Sequence, residues 1–175
     1  MAVPLIWLGV GVGSWLVGQH LRQQDMRAKG VVAQFPGERA IAVKAKGGAI
    51  VCCGIYGVFD HSGIWLDDGV AELKGNGLIR AVSASRFMQN RSGDTIFIAC
   101  DSSGKPLIDP LAAQRASAQL FSYRDYHVLN NNCHRFSWQC ISGENRRITQ
   151  FATLNHLMAE HFQQTVYWHP LQYCS

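Results

Sequence analysis

Cys133 stands at a position in the chain that favours nucleophilic chemistry. It follows the run of three asparagines at positions 130–132 and begins a predicted helix that ends near residue 141. The partial positive charge at a helix N-terminus lowers the pKa of a thiol and favours the thiolate, which is the nucleophilic form. Cys133 is therefore the predicted nucleophile.

A thiolate nucleophile also needs an imidazole that takes and returns the proton, and a group that orients the imidazole. His61 heads one predicted strand, and Glu72 lies on the next strand, after the turn at residues 67–69. If the two strands form a hairpin, His61 and Glu72 are neighbours across it, and the carboxylate fixes the tautomer of the ring. The predicted catalytic residues are Cys133, His61 and Glu72. The pattern alone leaves an alternative open, because a histidine at a strand start is usually an ordinary surface residue.

Two residues beside Cys133 complete the predicted site. Asn132 and His134 are predicted to support the nucleophile or the oxyanion, and the backbone N–H of Cys133 is the first candidate oxyanion donor. For His134 a second interpretation stays open, that of a surface residue on the first helical turn. The histidines at positions 156, 161 and 169 do not share a helical face at ligand spacing, so no metal and no cofactor are predicted.

The other cysteines have a simpler interpretation. They lie at positions 52, 53, 100, 140 and 174, with no Cys-x-x-Cys pair typical of zinc or redox sites. We interpret them as free thiols that pack as small hydrophobic side chains. This interpretation favours a reducing compartment.

The composition limits the classes of function. The chain has 175 residues, 47% of them hydrophobic and 16% charged, which is enough for one folded domain and excludes an intrinsically disordered protein. The net charge of +4 is too diffuse for a nucleic-acid surface, so no nucleic-acid partner is expected. A weak attraction to anionic lipid is compatible with this charge.

The N-terminal segment is uncharged over residues 3–18 and is followed by Arg22, Arg27 and Lys29. An apolar run of nearly spanning length with basic residues on one side predicts a membrane anchor, with the basic side in the cytoplasm. We predict a hydrophobic helix at residues 1–22 that anchors a cytoplasmic catalytic domain. The alternative is a helix or hairpin buried in a soluble domain.

The rest of the chain predicts an α+β domain with an antiparallel sheet, because short strands come first and helices follow. A linker is predicted at residues 23–39, a catalytic domain at 40–165 and a C-terminal tail at 166–175. Glycine-bounded β-type runs and capped helical runs give the following predicted elements: strands at 40–44, 49–57, 62–66, 70–74, 78–82 and 95–100, a helical turn at 83–88, and helices at 109–121, 133–141 and 149–163.

Several motifs between residues 45 and 150 resemble those of the lecithin:retinol acyltransferase family, which belongs to the NlpC-type papain-like superfamily. The family has a strand of the form His-x-Gly-Ile-Tyr-Leu, an Arg-Ala pair in a helix, and a tyrosine that precedes Asn-Cys-Glu-His-Phe. The corresponding residues in this chain are His61-Ser62-Gly63-Ile64-Trp65-Leu66, Arg115-Ala116, Tyr126 and Asn132-Cys133-His134-Arg135-Phe136, followed by Cys140 and Gly143.

The resemblance implies a circularly permuted papain-like fold, in which the histidine precedes the cysteine along the chain. It also implies a thiol acyltransferase or acyl hydrolase that acts on glycerophospholipid-type esters through a cysteine acyl-enzyme. Two positions depart from the family pattern: His134-Arg135 replaces Glu-His, and Glu72 stands where the animal members usually have a second histidine. The alternatives are a papain-like amide or peptide hydrolase, and a catalytically idle domain that binds lipid or a partner.

Overall fold

The computed structural model of the chain describes residues 6–55, 59–91, 93–127 and 132–172. Seven strands in these ranges form one sheet, in the order β1-β7-β6-β2-β3-β4-β5. Only the pairing of β1 with β7 is parallel among the described strands. The bounds are β1 Val32–Gln34, β2 Ile50–Ile55, β3 Phe59–Trp65, β4 Val70–Leu73, β5 Ile79–Val82, β6 Phe97–Cys100 and β7 Val166–Pro170.

Helices accompany the sheet, so the predicted α+β class with a mainly antiparallel sheet is confirmed. The described helices are α1 Ile6–Ala28, α2 Ala84–Phe87, α3 Ala112–Ser117, α4 Cys133–Ser142 and α5 Phe151–Phe162. Ser83 caps α2, since its side chain accepts a hydrogen bond from the backbone N–H of Arg86. The helix α4 packs against β3 and β4, and it is the element that carries Cys133.

The core lies on both faces of the sheet, because alternate residues of a strand point in opposite directions. On β2, Ile50 belongs to a cluster that includes Phe136 of α4 and Leu154 of α5. The next residue, Val51, belongs to a second cluster that includes Phe87. Full burial of a large apolar side chain contributes about 1.5–3 kcal/mol, so these clusters hold α4 and α2 firmly against the central strands.

The predicted boundaries of the domain are wrong at both ends. The segment predicted as a linker, 23–39, contains the end of α1 and strand β1, and the segment predicted as a tail, 166–175, contains β7. Val32 and Val166 are fully buried and pair with each other across the two strands. The two strands are joined by pairing between distant parts of the chain, which local composition does not reveal.

Two internal elements also differ from the prediction. The strand predicted at 40–44 is reduced to a single bridge between Val43 and Leu171. The helix predicted from Asp109 begins only at Ala112, and its N-cap is Leu111 without a side-chain cap. Asp109 instead accepts hydrogen bonds from the backbone of Leu111 and from the guanidinium of Arg115.

The N-terminal helix α1 joins the domain through its C-terminal end. Met26, Val31 and Phe35 are buried in the same core cluster as α4, and the N–H of Val31 donates to the carbonyl of Met26 over 2.9 Å. Within the described ranges, no helix has the length and apolar character that crossing a membrane requires. The first five residues of the predicted anchor lie outside those ranges, and the anchor and its cytoplasmic orientation stay predictions.

Candidate active site

Cys133 is the first residue of α4, as its position after the asparagine run predicts. Asn132 is the N-cap: its side-chain oxygen accepts a hydrogen bond of 3.0 Å from the backbone N–H of Arg135. The helix ends at Gly143, whose φ of 77° is a conformation that glycine adopts without strain. Cys133 is only 6% exposed, so its thiol is held inside the domain at the positive end of a helix.

His61 and Glu72 meet across the β3–β4 hairpin. The register pairs Ile64 with Ala71 and Trp65 with Val70, and the Nε2 atom of His61 lies 2.8 Å from Oε2 of Glu72. The predicted contact between His61 and Glu72 is therefore confirmed. Because Nε2 faces the carboxylate, Nδ1 is the ring nitrogen left to face Cys133, which lies near enough for each group to shift the pKa of the other.

Gly63 makes room for the packing of the His61 ring. A Cβ at this position would lie 2.6 Å from Cγ1 of Val70 and 2.7 Å from the carbonyl oxygen of Ala71. It would also approach the Phe87 ring to 3.2 Å, and the centroid of that ring lies 5.0 Å from the His61 centroid. The glycine of the His-x-Gly motif thus lets an aromatic ring pack against the imidazole.

Glu72 is fully buried and binds three basic side chains. Its Oε1 accepts from Nε and Nη2 of Arg80 over 2.8 and 2.7 Å, and its Oε2 accepts from Nη2 of Arg91 over 3.1 Å. Burial alone would raise the pKa of Glu72, but the hydrogen bonds from His61 and Arg80 hold that pKa below its usual range. The carboxylate therefore stays ionised beside the imidazole.

The sequence analysis missed both arginines. One of them could have been found, because the tight turn at residues 74–77 sets the register that pairs Glu72 with Arg80. Arg91 follows α2, and its guanidinium also lies over the Phe87 ring, 5.4 Å from the centroid. No local pattern in the sequence points to Arg91, because only the folded chain brings it to Glu72.

Two imidazoles face the Cys133 thiol. The Sγ atom lies 3.9 Å from Nδ1 of His134. Burial would raise the pKa of Cys133, but the nearby charges of His134 and His61 hold that pKa well below that of an ordinary thiol. Burial likewise opposes the charged form of His61, but the adjacent Cys133 raises the pKa of His61. The arrangement favours a thiolate–imidazolium pair.

The other described cysteines are free thiols with the opposite shift, as the interpretation of packed thiols predicts. Burial raises the pKa of Cys53, Cys100 and Cys140 to about 12 and raises the pKa of Cys52 well above that of an ordinary thiol. Cys174 lies outside the described residues. Within the described part of the chain, Cys133 alone has a lowered thiol pKa.

These pKa directions predict selective alkylation of Cys133. We expect its reaction with iodoacetamide to reach half its maximal rate well below pH 8.5, about the pKa of a free cysteine. Peptide mass spectrometry after short exposures across a pH series measures this rate. Cys140 is the internal control, with a pKa of about 12, and it should react only in more alkaline solution. A midpoint for Cys133 at or above the free-cysteine value would contradict the assigned thiolate.

The alternative of His134 as a surface residue is wrong, since it is 6% exposed. Its Nδ1 lies 2.9 Å from the hydroxyl of Ser62, on β3. That hydroxyl accepts a hydrogen bond of 2.9 Å from Ser137, one turn further along α4. The buried face of α4 is wide enough to include position 134, which the sequence pattern did not indicate.

A cleft of about 1090 Å³ opens beside the site. His134 and Asp60 line the end near Cys133, and the C-terminal half of α1 lines another part through Arg22 and Met26. Burial raises the pKa of the Asp60 carboxyl. The cleft is large enough for a small organic substrate, and His134, the residue after Cys133, is one of its lining residues.

Comparison with known proteins adds no family or relative to this description, so the chemistry of the site is the basis for assigning a function. No protein-family model, no curated protein and no solved structure matches the chain.

Proposed function

We propose that the protein is a cysteine-dependent acyltransferase or acyl hydrolase. The observation that carries the proposal is the meeting of three groups: a thiol at the start of α4, an imidazole whose charge lowers the pKa of that thiol, and a buried carboxylate 2.8 Å from Nε2 of the imidazole. A nucleophile, a base and a group that orients the base are the parts that covalent acyl transfer needs.

In the proposed reaction, the proton of the Cys133 thiol passes to Nδ1 of His61. The Sγ atom attacks the carbonyl carbon of an ester, and the carbonyl electron pair moves to the oxygen. When this tetrahedral intermediate collapses, the bond to the alcohol breaks and His61 returns the proton to the leaving alkoxide. A thioester on Cys133 results. The charge on Glu72 stabilises the imidazolium and holds its Nε2–H in place.

The second half of the reaction releases the acyl group. Water, an alcohol or an amine gives a proton to Nδ1 of His61 and attacks the thioester carbonyl. The carbon–sulfur bond then breaks, and the thiolate of Cys133 is restored. The backbone N–H of Cys133, at the first turn of α4, is the first donor for the oxyanion in both halves.

We propose a lipid ester of the glycerophospholipid type as substrate, and a circularly permuted papain-like fold. The chain order of histidine, glutamate and cysteine supports the fold, as do the motifs that resemble the lecithin:retinol acyltransferase family. The cleft supports the substrate class, because Met26, Phe35 and Phe151 offer apolar surface while Arg22 and Arg39 offer positive charge for a phosphate.

The second candidate is an amide hydrolase, which the acidic groups in the cleft favour. Asp60 and Asp94 line the same cleft as the arginines, so it presents both signs of charge, as a site for a peptide would. The covalent chemistry is the same, with an amine as the leaving group. The proton that His61 returns is then essential, because an amine leaves only once it is protonated.

Parallel assays separate these candidates. We expect release of labelled fatty acid from phospholipid in mixed micelles, and slower or no cleavage of a panel of peptide amides. A higher kcat/KM for peptide amides than for phospholipid would favour the amide hydrolase. If neither substrate is turned over and a thiol-directed lipid probe fails to label Cys133, the protein is an idle binding domain and the proposal is wrong.

A further inference from the structure

We propose that His134 is a further catalytic residue, whose Nε2–H donates a hydrogen bond to the substrate carbonyl oxygen as it becomes an oxyanion. The inference rests on the proposed function, since the oxyanion forms only if Cys133 attacks a carbonyl carbon. It adds a side-chain donor to the backbone N–H of Cys133 and assigns different tasks to the two histidines at the thiol.

A chain of buried hydroxyl groups holds the His134 ring. Ser137 donates to the hydroxyl of Ser62 over 2.9 Å, and that hydroxyl lies 2.9 Å from Nδ1 of His134. Both serines are fully buried. Because Ser62 accepts from Ser137, its own proton is available to donate to Nδ1.

These hydrogen bonds favour one position of the ring proton. When the hydroxyl of Ser62 donates to Nδ1, the neutral ring carries its proton on Nε2. In the imidazolium, both nitrogens carry a proton. With Ser62 as the donor to Nδ1, the Nε2 atom of His134 is a donor in either charge state. The nearby thiolate of Cys133 can attract a proton to the ring without removing this donor.

The location of the ring suits a donor to the substrate. His134 follows the nucleophile directly on the first turn of α4, and it lines the cleft. Its Nδ1 edge faces the buried Ser62, and the Nε2 edge lies on the other side of the ring. The Phe151 ring packs at 5.6 Å between centroids with an interplanar angle of 45°, which fixes the plane of the imidazole.

His134 is less suited than His61 to act as the base. The ring of His61 has the Glu72 carboxylate 2.8 Å from Nε2, which stabilises the imidazolium that a base must become. The ring of His134 has the Ser62 hydroxyl 2.9 Å from Nδ1, and the Asp60 carboxyl near it has a pKa raised by burial, so neither partner matches the ionised Glu72 carboxylate. We therefore assign the role of base to His61 and the role of hydrogen-bond donor to His134.

Two substitutions of similar size distinguish this assignment. The amide nitrogen of glutamine reaches about as far as Nε2 of histidine, whereas that of asparagine reaches only about as far as Nδ1. Removing one oxyanion donor costs about 10²- to 10³-fold in kcat. With p-nitrophenyl butyrate as acyl donor, we expect His134→Asn to lose about this much, and His134→Gln to stay within about tenfold of wild type.

The rate of Cys133 alkylation by iodoacetamide, taken at its high-pH plateau, is the second readout, because alkylation forms no oxyanion. We expect this plateau rate to be unchanged in both variants. His156→Gln, on α5, is the control for a histidine replaced outside the site. Equal losses of acyl transfer in His134→Gln and His134→Asn would overturn the assignment of the donor, and so would a matching fall in plateau alkylation.

If a thermal melt shows that either variant is already unfolded at the assay temperature, a measurement on the wild-type protein still tests the inference. Long-range ¹H–¹⁵N spectra, assigned to His134, report which ring nitrogen carries the proton. We expect a protonated Nε2 at every pH at which the protein is folded, and a neutral ring with its proton on Nδ1 would overturn the inference. If the wild-type enzyme is never acylated at Cys133, the proposed function fails and this inference fails with it.

Discussion

Replacing Cys133 by alanine is expected to lower kcat/KM for acyl transfer on the order of 10⁶-fold, because a chain without the nucleophile keeps only the catalysis that substrate binding and the oxyanion donors supply. Cys133→Ser should lose nearly as much, because a serine hydroxyl in place of a thiolate is not ionised. The fold should remain, with a loss of about 1 kcal/mol in the free energy of unfolding for the small cavity. Release of labelled fatty acid and a denaturant titration measure the two effects.

Cys140→Ala is the matched control on the same helix. Cys140 is fully buried in the core and its pKa is raised to about 12, so its loss should cost stability alone, again about 1 kcal/mol. Full activity in Cys133→Ala would exclude the proposed mechanism. A total loss in a folded Cys140→Ala would identify the other cysteine of α4 as the nucleophile.

Replacing Glu72 by glutamine is expected to harm both catalysis and stability. The amide keeps one acceptor oxygen but removes the charge that stabilises the His61 imidazolium, and its NH₂ group faces the N–H donors of Arg80 or of His61. The change of a triad carboxylate to an amide costs up to about 10⁴-fold in kcat. It also leaves two partly buried arginines without the carboxylate that they share, which costs about 1–3 kcal/mol. Activity below the melting temperature and a denaturant titration measure these losses.

The stability lost in Glu72→Gln should depend on pH in one direction. Because the folded-state pKa of Glu72 is lowered, its contribution is present above the unfolded pKa of about 4.3 and is lost as the pH falls through the lower folded value. The difference in unfolding free energy between wild type and variant should therefore shrink in acid. Glu144→Gln, at an exposed position, is the control and should change neither property. A variant as active and as stable as wild type at neutral pH would contradict the role given to Glu72.

Local patterns predicted the core of the site because each part depends on short stretches of chain. Strand alternation and a short turn bring His61 within hydrogen-bonding distance of Glu72, and the asparagine cap fixes where α4 begins. The central strands follow from apolar runs bounded by glycines. These features are encoded within about ten residues of one another, so a single sequence reveals them.

Long-range packing was not predictable in the same way. Strand β7 joins the sheet beside β1, although neither segment has more than a short apolar run to mark it. Arg91 reaches Glu72 only after α2 has folded against β4. The burial of His134 depends on the hydroxyl of Ser62, 72 positions earlier in the chain, and no spacing rule connects the two.

The central claim is that Cys133 carries the acyl group. The most direct test is the mass of the protein after a brief reaction with p-nitrophenyl butyrate that is stopped with acid. We predict one added butyryl group per chain, located by peptide mapping on the fragment that contains Cys133, and its removal by neutral hydroxylamine as expected for a thioester. The adduct should be absent from Cys133→Ala and present in Cys140→Ala. A butyryl group on any other residue, or turnover without a Cys133 adduct, would contradict the account.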